Sequence, residues 1–450
     1  MAIQTHLAAA KLLKTVYFPG ITDQLNNETP GLSILRRIGK EKWSGAQVNL
    51  ASRIARNRSY RPTSSANESA ALPAAGKQGY DNFEVPCVLI HGSGGLTAFG
   101  AAATRGSESA FADMLKSEVD GIVADAKKDR EIDFFGTPLG VLAQVTAAGG
   151  GGGATITLGD TQALVAWTSH GNRYFSPDML IDLVRVDGSA LTNGTIESAA
   201  TGVPTANRNT ILTTADVATN NDLVVRRGTI SAGAGGNAQP GFAWSGLEYL
   251  IDDTTTAPAA AAAGGYEFDK LQGIDRGSNA YAQSTVVDLN NVELARNDLH
   301  NLVYQIEERG AAYPDVFLTH RSVQLAIADL MVGDQRYQPQ ELPGGFKADA
   351  LLFNAGSADI PILVARECPY DRLYALDLDA IEMFVLQDFE MIETDGSVLR
   401  QDSGGGDAWN FSYRHFANIA SRAPNRLGKM VRIGGADESF GAGAGRLYDF

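Results

Sequence analysis

Residues 107–135 constrain the fold more than any other stretch of this chain. They read SESAFADMLKSEVDGIVADAKKDREIDFF, with apolar residues every three or four positions and charged residues between them. This spacing predicts an α-helix with one apolar and one charged face. Ser107 and Glu108 are typical of a helix start, and Gly136 and Pro138 of its end. The predicted apolar face consists of Phe111, Met114, Leu115, Val119, Ile122, Val123 and Ala126.

Such a helix would be about 40 Å long at 1.5 Å per residue. That length is unusual for the core of a soluble enzyme and more typical of a beam that crosses a flat molecule. An ordinary core helix remains the alternative, because an amphipathic pattern reports burial and not function.

The composition is that of a soluble globular chain with two or three domains: 450 residues, 44% hydrophobic and 20% charged. No segment resembles a transmembrane helix or a signal peptide, so we expect a protein that stays in the cytoplasm where it is made and has no membrane partner. Cys87 and Cys368 have no neighbouring cysteine, which predicts two small buried side chains and neither a disulfide framework nor a zinc site.

Charge is distributed unevenly along the chain. Residues 1–61 carry ten Lys or Arg and three acidic residues, a balance of +7, which leaves −22 for the rest of a chain whose net charge is −15. A basic segment on an acidic body favours either a nucleic-acid arm or an arm that docks on an acidic neighbour of its own kind. The acidic body itself argues against direct wrapping of DNA.

Residues 43–99 predict a long hairpin that leaves the body. Two strand-like limbs, the second of them FEVPCVLIHG, flank a tip rich in small residues. Such a hairpin cannot bury itself and needs a partner surface. Its basic residues Arg53, Arg56, Arg58 and Arg61 fit two interpretations, a nucleic-acid strip with Tyr60 stacking or a set of contacts to an adjacent copy.

The remaining chain predicts a small antiparallel β unit over residues 154–230, followed by mixed α and β elements. Asp187-Gly188 and Asn193-Gly194 are typical hairpin turns. Helices are predicted over 292–309 and 322–331, the second capped by Ser322. Strands are predicted at 350–353, 360–365 and 373–376 in one sheet, then at AIEMFVLQDFEMI, with a turn at Asp395-Gly396 after which SVLRQ pairs back. Residues 407–433 predict a further strand or strand pair.

No catalytic, cofactor-binding or metal-binding set emerges from the sequence. HGSGG, residues 91–95, resembles the oxyanion loop of esterases, but the chain has no GxSxG nucleophile motif, and we interpret HGSGG as a loop. Phosphate-binding, dinucleotide and calcium-loop patterns are also incomplete. The six histidines have no metal-ligand spacing. A serine hydrolase that uses HGSGG remains the alternative from another functional class.

The order of these elements resembles that of the major capsid proteins of tailed bacteriophages, the HK-97-like shell fold. The residues that carry the resemblance, which covers nearly the whole chain, are the 107–135 stretch with its continuation FGTPLGVLAQV, WSGLEYLIDD with LQGIDRGSNAY, PDVFLTHRSVQLAIADLM, ADIPILVARECPYDRLYALD and DAWNFSYRHFANIASRAPNRLGKMVRI.

The resemblance implies an α+β fold with an N-arm, an extended β-hairpin (E-loop), a long spine helix in a peripheral P-domain, a mixed α/β axial A-domain and a small β-rich insertion. The implied division is an N-terminal arm at 1–42, the E-loop at 43–99, the spine helix and start of the P-domain at 100–153, the insertion at 154–235, a P-domain connection at 236–280, the A-domain at 281–375, returning P-domain strands at 376–435 and a tail at 436–450.

The resemblance also implies a non-enzymatic role without cofactors. Such proteins assemble into hexameric and pentameric capsomers that close an icosahedral head shell around double-stranded DNA, without sequence-specific binding, and they work with portal, scaffolding and possible decoration proteins. The implied location is the virion capsid, assembled in the host cytoplasm; an encapsulin-type compartment is the alternative with the same fold. Expected inter-subunit contacts on the arm and hairpin are Arg36, Arg37, Arg53, Arg56, Arg58 and Arg61.

Overall fold

The computed structural model describes residues 30–38, 45, 47–57, 59–60, 62, 74–97, 108–147, 154–158, 174–175, 179–184, 191–195, 210–213, 222–229, 243–253, 270–330, 340–341, 347–348, 351–356, 359–393, 400–401 and 408–434. Its helices in this part of the chain are α1 (Pro30–Ile34), α2 (Glu108–Phe135), α3 (Leu247–Leu250), α4 (Arg296–Gly310) and α5 (Arg321–Leu330). Single 3-10 turns lie at Ala280–Ala282 and Pro424–Arg426.

The strands run through the whole described chain. The first twelve are β1 (Arg36–Ile38), β2 (Gln47–Ala55), β3 (Gly79–Pro86), β4 (Val88–Thr97), β5 (Val141–Ala147), β6 (Ala154–Leu158), β7 (Leu180–Val184), β8 (Leu191–Thr195), β9 (Thr210–Thr213), β10 (Leu223–Arg226), β11 (Lys270–Leu271) and β12 (Ile274–Asp275). The others are β13 (Thr285–Asp288), β14 (Val316–Thr319), β15 (Gln340–Glu341), β16 (Lys347–Ala348), β17 (Leu351–Asn354), β18 (Asp359–Val364), β19 (Leu373–Leu376), β20 (Ile381–Met391), β21 (Arg400–Gln401), β22 (Ala408–Ser421) and β23 (Gly428–Val431).

The first large sheet, which we call the helix-covered sheet, has the order β13-β23-β19-β14-β18-β17 and mixes parallel with antiparallel pairs. The apolar faces of α4 and α5 pack on one side of it through residues such as Leu302, Ile306 and Ile327. On the other side, Val316 and Tyr374 belong to a second core. Strand residues that face alternate sides therefore separate two cores.

The second large sheet, the long sheet, has the order β1-β20-β22-β21, and β4 also pairs with β22. Its two longest strands, β20 and β22, are antiparallel. The long sheet forms the second core together with α3 and the end of α2, where Phe134, Phe135 and Trp244 are almost fully buried.

The third large sheet, the insertion sheet, has the order β8-β7-β10-β5-β6-β9. It has its own small apolar core, to which Ile132 of α2 contributes. The strand-rich unit predicted over residues 154–230 is therefore present, and β5, which precedes that range, pairs with both β6 and β10.

The long helix is the element that the sequence predicts best. It runs from Glu108 to Phe135, 28 residues, or about 42 Å. The strands predicted at 350–353, 360–365 and 373–376 are found at 351–354, 359–364 and 373–376, and they lie in one sheet, as expected. The structure is thus mixed α+β, in agreement with the predicted fold class.

Two predicted hairpin features are wrong. Asn193 and Gly194 lie within β8 and pair with residues of β7, because pairing with a buried strand overrides a local turn preference. The short strand in SVLRQ pairs with β22 and not with the preceding strand β20. Strand β20 ends opposite Tyr413, which leaves the edge of β22 at Trp409 open to β21.

The predicted cap of the second helix is also wrong. Helix α5 begins at Arg321, so Ser322 lies inside it. Its hydroxyl donates to the carbonyl oxygen of Tyr370 over 2.9 Å. Of the two cysteines, Cys368 is buried as expected, whereas Cys87 is only half-buried.

Several predictions fall outside the described residues: the turns at Asp187-Gly188 and Asp395-Gly396 and the tail at 436–450. No helix in the described ranges is both long and apolar enough to span a membrane.

Candidate assembly surface

The predicted hairpin is formed by β2 and β3, which pair antiparallel from Gln47 opposite Pro86 to Ala55 opposite Gly79. Its second limb is shorter than predicted. The chain leaves the hairpin at Cys87 and continues as β4, which pairs with β22 of the long sheet. Because β3 runs directly into β4, the hairpin is a rigid extension of that sheet.

The base of the hairpin is built into the core. Leu50, Phe83 and Val85 are buried there. The backbone N–H of Glu84 donates to the carbonyl oxygen of Gln272 over 2.8 Å. These apolar contacts and the hydrogen bond hold one end of the hairpin to the body.

Further polar contacts fix the same end. The side-chain amide of Asn418, on β22, donates to the carbonyl oxygen of Pro86 over 2.8 Å. The hydroxyl of Tyr281 donates to the carboxylate of Asp81, and burial together with this carboxylate raises the pKa of Tyr281 to about 12. The hydrogen bonds come from two different parts of the chain, so the direction of the hairpin is fixed by the body.

The described residues of the distal half of the hairpin show no such contacts with the body. Arg53, Arg56 and residues 74–78 are exposed. Tyr80 is 64% exposed and Tyr60 is 89% exposed. Large aromatic and arginine side chains on a surface that the subunit does not cover are the residue types enriched at protein interfaces.

Of the six arginines predicted as contacts, the structure describes the side chains of two, Arg53 and Arg56. Arg53 and Arg56 lie on the hairpin and have no ion-pair partner among the described residues. Arg36 and Arg37 lie in β1, which runs parallel to β20, and their side chains lie outside the described part. Arg58 and Arg61 lie outside it as well, so their role stays a prediction.

Among the described side chains of the long helix, which begin at Glu118, the most fully buried lie toward its C-terminal end. Ala126, Ile132, Phe134 and Phe135 are buried, whereas the predicted face residues Val119, Ile122 and Val123 are half-buried. The side chains of Phe111, Met114 and Leu115 lie outside the described part.

The outward side of the helix is acidic, a feature that sequence reasoning missed. Glu118, Asp120, Asp125 and Asp129 are all exposed, although Asp129 also binds Arg226 over 3.0 Å. The signal was present in the sequence, since residues 118–129 hold more acidic than basic side chains. The subunit therefore exposes a basic hairpin and an acidic helix side.

The HGSGG segment is not a loop. Residues 91–95 lie in β4 and pair one by one with residues of β22. A Cβ on Gly92 would lie 2.1 Å from the ring of Tyr413, and one on Gly94 would lie 2.1 Å from Ile122. The glycines thus give the rings and the long helix room to pack on the strand, and their N–H groups do not form an oxyanion loop.

One buried serine–histidine pair, His320 and Ser322, bears on the alternative function of a serine hydrolase. His320 Nδ1 lies 2.8 Å from Ser322 Oγ, and the backbone N–H of Ser322 also donates to that nitrogen. Both side chains are at most 4% exposed, so no substrate reaches the hydroxyl. The pair supports the start of α5. Among the described residues no group of His, Cys, Asp and Glu could hold a metal ion.

The structure is similar to solved capsid proteins over nearly its whole length. It matches the capsid asymmetric unit of cyanophage A-1(L) with 11% identity and a TM-score of 0.47, covering 95% of this chain and 99% of that one. The capsid of a native GTA particle matches with 10% identity and a TM-score of 0.46, covering 96% and 99%. The encapsulin of a holo-SrpI complex from Synechococcus elongatus matches with 8% identity and a TM-score of 0.44, covering 96% and 97%.

No family model matches the sequence, and no curated protein matches it. The likeness to phage capsid proteins predicted from the sequence is thus found again in structure, at low identity.

Proposed function

We propose that this chain is the structural subunit of an icosahedral shell, the major capsid protein of a tailed phage. It would act by association with copies of itself in hexameric and pentameric capsomers, and not by catalysis. The observation that carries the proposal is the hairpin of β2 and β3. Its base is part of the core, while its distal half exposes arginine and tyrosine side chains.

In an isolated subunit the distal half of the hairpin gains little stability. An exposed two-stranded hairpin has little stability of its own, yet many contacts at its base fix its direction. A hairpin whose direction is fixed and whose described distal residues are exposed is suited to bind a surface on another molecule. A second copy of the chain is the partner best matched in charge.

Charge complementarity suggests where the hairpin docks. Arg53 and Arg56 on its exposed half would lie against the acidic side of α2 on a neighbouring copy, which includes Glu118 and Asp125. Contacts of this kind guide orientation and association rate more than they add affinity. Because exposed ion pairs are screened by salt, assembly should weaken as ionic strength rises.

The finer parts of the proposal follow from the family resemblance. Residues 1–42 would be the N-arm, the hairpin within 43–99 the E-loop, α2 the spine helix of the P-domain and 281–375 the A-domain at the capsomer centre. The insertion sheet would be an addition to the domains that the family shares. The partners would be portal, scaffolding and possible decoration proteins and packaged double-stranded DNA, and the shell would be assembled in the host cytoplasm and end in the virion.

The first test is the size of the expressed full-length chain, measured by gel filtration and negative-stain electron microscopy. Closed shells, capsomers or tubes are expected. A 47.7 kDa monomer at high concentration, unchanged when scaffold or DNA is added, would contradict the proposal. If shells form, nuclease-protected DNA inside particles from the native source supports a phage capsid, and a co-purifying enzyme supports an encapsulin-type compartment.

The second test reverses charges on both proposed surfaces. Arg53→Glu with Arg56→Glu should abolish or strongly reduce particle yield, and so should Glu118→Lys with Asp125→Lys. Combining all four substitutions should restore assembly, because the signs are again opposite. Thermal unfolding of each variant subunit controls for folding. Failure of the fourfold variant to recover, with intact subunits, would show that these surfaces do not meet.

A further inference from the structure

The N-terminal turn of the described chain is held by one buried carboxylate. Glu131, on α2, is 1% exposed. Its Oε1 accepts the backbone N–H of Gly31 over 2.8 Å, and its Oε2 accepts the backbone N–H of Leu32 over 3.1 Å. Amides at the start of a helix have no partner within the helix, so Glu131 supplies partners for α1 from 100 residues away in the chain.

The turn sits directly on this carboxylate, with no space between them. A Cβ on Gly31 would lie 2.6 Å from Phe134 Cε1 and 2.7 Å from Glu131 Oε1. Leu32 and Ile34 fill the core beside it. Glu131 therefore becomes buried when α1 docks on α2, and undocking of α1 would expose the carboxylate to water.

Within the described part of the chain, two other ionisable groups act on Glu131. Helix α1 has none, since its sequence is PGLSI. Glu367, between β18 and β19, repels the ionised form, and Arg130, on α2 itself, favours it. Burial is the largest effect and raises the pKa of Glu131 to about 7, although the two N–H groups act in the opposite direction.

We propose that α1 docks on α2 with the uptake of one proton by Glu131, so that the turn is held more tightly in mildly acidic than in mildly alkaline solution. A docked state with the higher proton affinity is favoured below the pH at which the docked carboxyl ionises and loses that advantage above it. Residues 1–29 and strand β1 flank this turn. Proton uptake would therefore control how firmly the N-terminal segment is attached to the long helix. The device belongs to the single subunit and does not depend on shell assembly.

Hydrogen exchange of the unassembled full-length chain tests this coupling. Protection of the peptide that contains residues 30–38 is measured between pH 6 and pH 8 and corrected for the intrinsic exchange rate. The docking constant should fall by about tenfold over this range, the factor expected for one carboxyl whose affinity for protons changes on docking. Protection of α4 in the same samples reports that the fold is intact.

Three variants complete the test. Glu131→Gln cannot ionise and should remove the pH dependence, whatever its absolute protection. Glu118→Gln, an exposed acid on the same helix, should keep the dependence of the parent chain. Gly31→Val should lower protection at every pH because its side chain has no room. Equal pH dependence in the parent chain and in Glu131→Gln would overturn the proposal, as would constant protection of the parent chain between pH 6 and pH 8.

Discussion

Lys429 Nζ lies 3.0 Å from Glu248 Oε1, and both side chains are almost fully buried. The ammonium also donates to the carbonyl oxygen of Glu248 and lies 3.4 Å from Asp252. Tyr374 donates its hydroxyl to the other carboxylate oxygen of Glu248 over 2.7 Å. Since Lys429 is on β23 and Glu248 on α3, these contacts join the helix-covered sheet to the core beneath the long sheet.

Lys429→Met should therefore destabilise the subunit strongly. Burial alone would raise the pKa of Glu248, but Lys429 and Arg372 attract the ionised form and the pKa lies below its ordinary value. Without the ammonium, a buried charge loses its nearest partner, which typically costs about 3–5 kcal/mol. Chemical denaturation measures the loss. Lys127→Met, an exposed change on α2, should shift the free energy of unfolding by less than about 0.5 kcal/mol; equal effects of the two changes would contradict this account.

Substitutions at the two ends of the hairpin should have different effects: one at the base should lower subunit stability, and one in the distal half should lower assembly. Phe83→Ala removes a fully buried ring at the base and should cost about 3–5 kcal/mol of subunit stability. Tyr80→Ala removes an exposed ring from the distal half, so it should leave the unfolding temperature unchanged and lower particle yield. Unfolding scans and electron microscopy of the same preparations check both outcomes. Normal yield from Tyr80→Ala would remove this ring from the proposed interface.

The sequence predicts the elements whose pattern is local. The long helix is found because its apolar residues repeat from Phe111 to Ala126, more than four turns of helix. The strands between residues 350 and 376 are found because each is a short apolar run. The pairing partner of a strand is harder to predict than the strand itself. Strand β21 pairs with β22 because β20 ends before that part of β22, and the sequence does not show where β20 ends. The division into arm, E-loop and domains stays a prediction.

The buried polar contacts lie beyond sequence reasoning for a different reason. Glu131 and Gly31 are 100 positions apart, and Lys429 and Glu248 are 181 positions apart. In the sequence, Glu131, Lys429 and Glu248 look like ordinary surface residues, because burial is a property of the folded chain. The acidic side of α2, by contrast, was visible in the charge pattern. Of the two proposed docking surfaces, the basic hairpin was predicted from the sequence, and the acidic side of α2 could have been.

Two glycines near the long helix should respond to substitution with opposite signs. A Cβ on Gly94 would lie 2.1 Å from Ile122 and 2.7 Å from Phe411, so Gly94→Ala should lower stability by about 1–3 kcal/mol as the helix is pushed from the sheet. Gly121 lies within α2, and a Cβ there would meet nothing within 4 Å. Gly121→Ala should raise stability by about 0.5–1 kcal/mol. Urea denaturation of both variants would contradict this if the signs agreed.

Arg226 links the insertion sheet to the long helix, and its removal should act mainly above neutral pH. Its guanidinium lies 3.1 Å from Asp133 and 3.0 Å from Asp129. Burial raises the pKa of Asp133 to about 6, although Arg226 lowers it. A carboxyl whose pKa is raised in the folded state costs no stability at low pH and destabilises the fold as the pH rises through that value.

Arg226→Gln should therefore cost about 3 kcal/mol at pH 8, where Asp133 is a buried charge without its main partner. At pH 5 the carboxyl is protonated in the folded state, because loss of the cation raises its pKa further, and the cost should fall below about 1 kcal/mol. Urea denaturation at the two pH values measures the difference. Arg226→Lys keeps a positive charge and should lose less at pH 8. An equal loss at both pH values would mean that Arg226 acts by packing alone and that the charge of Asp133 has no part in joining the insertion sheet to α2.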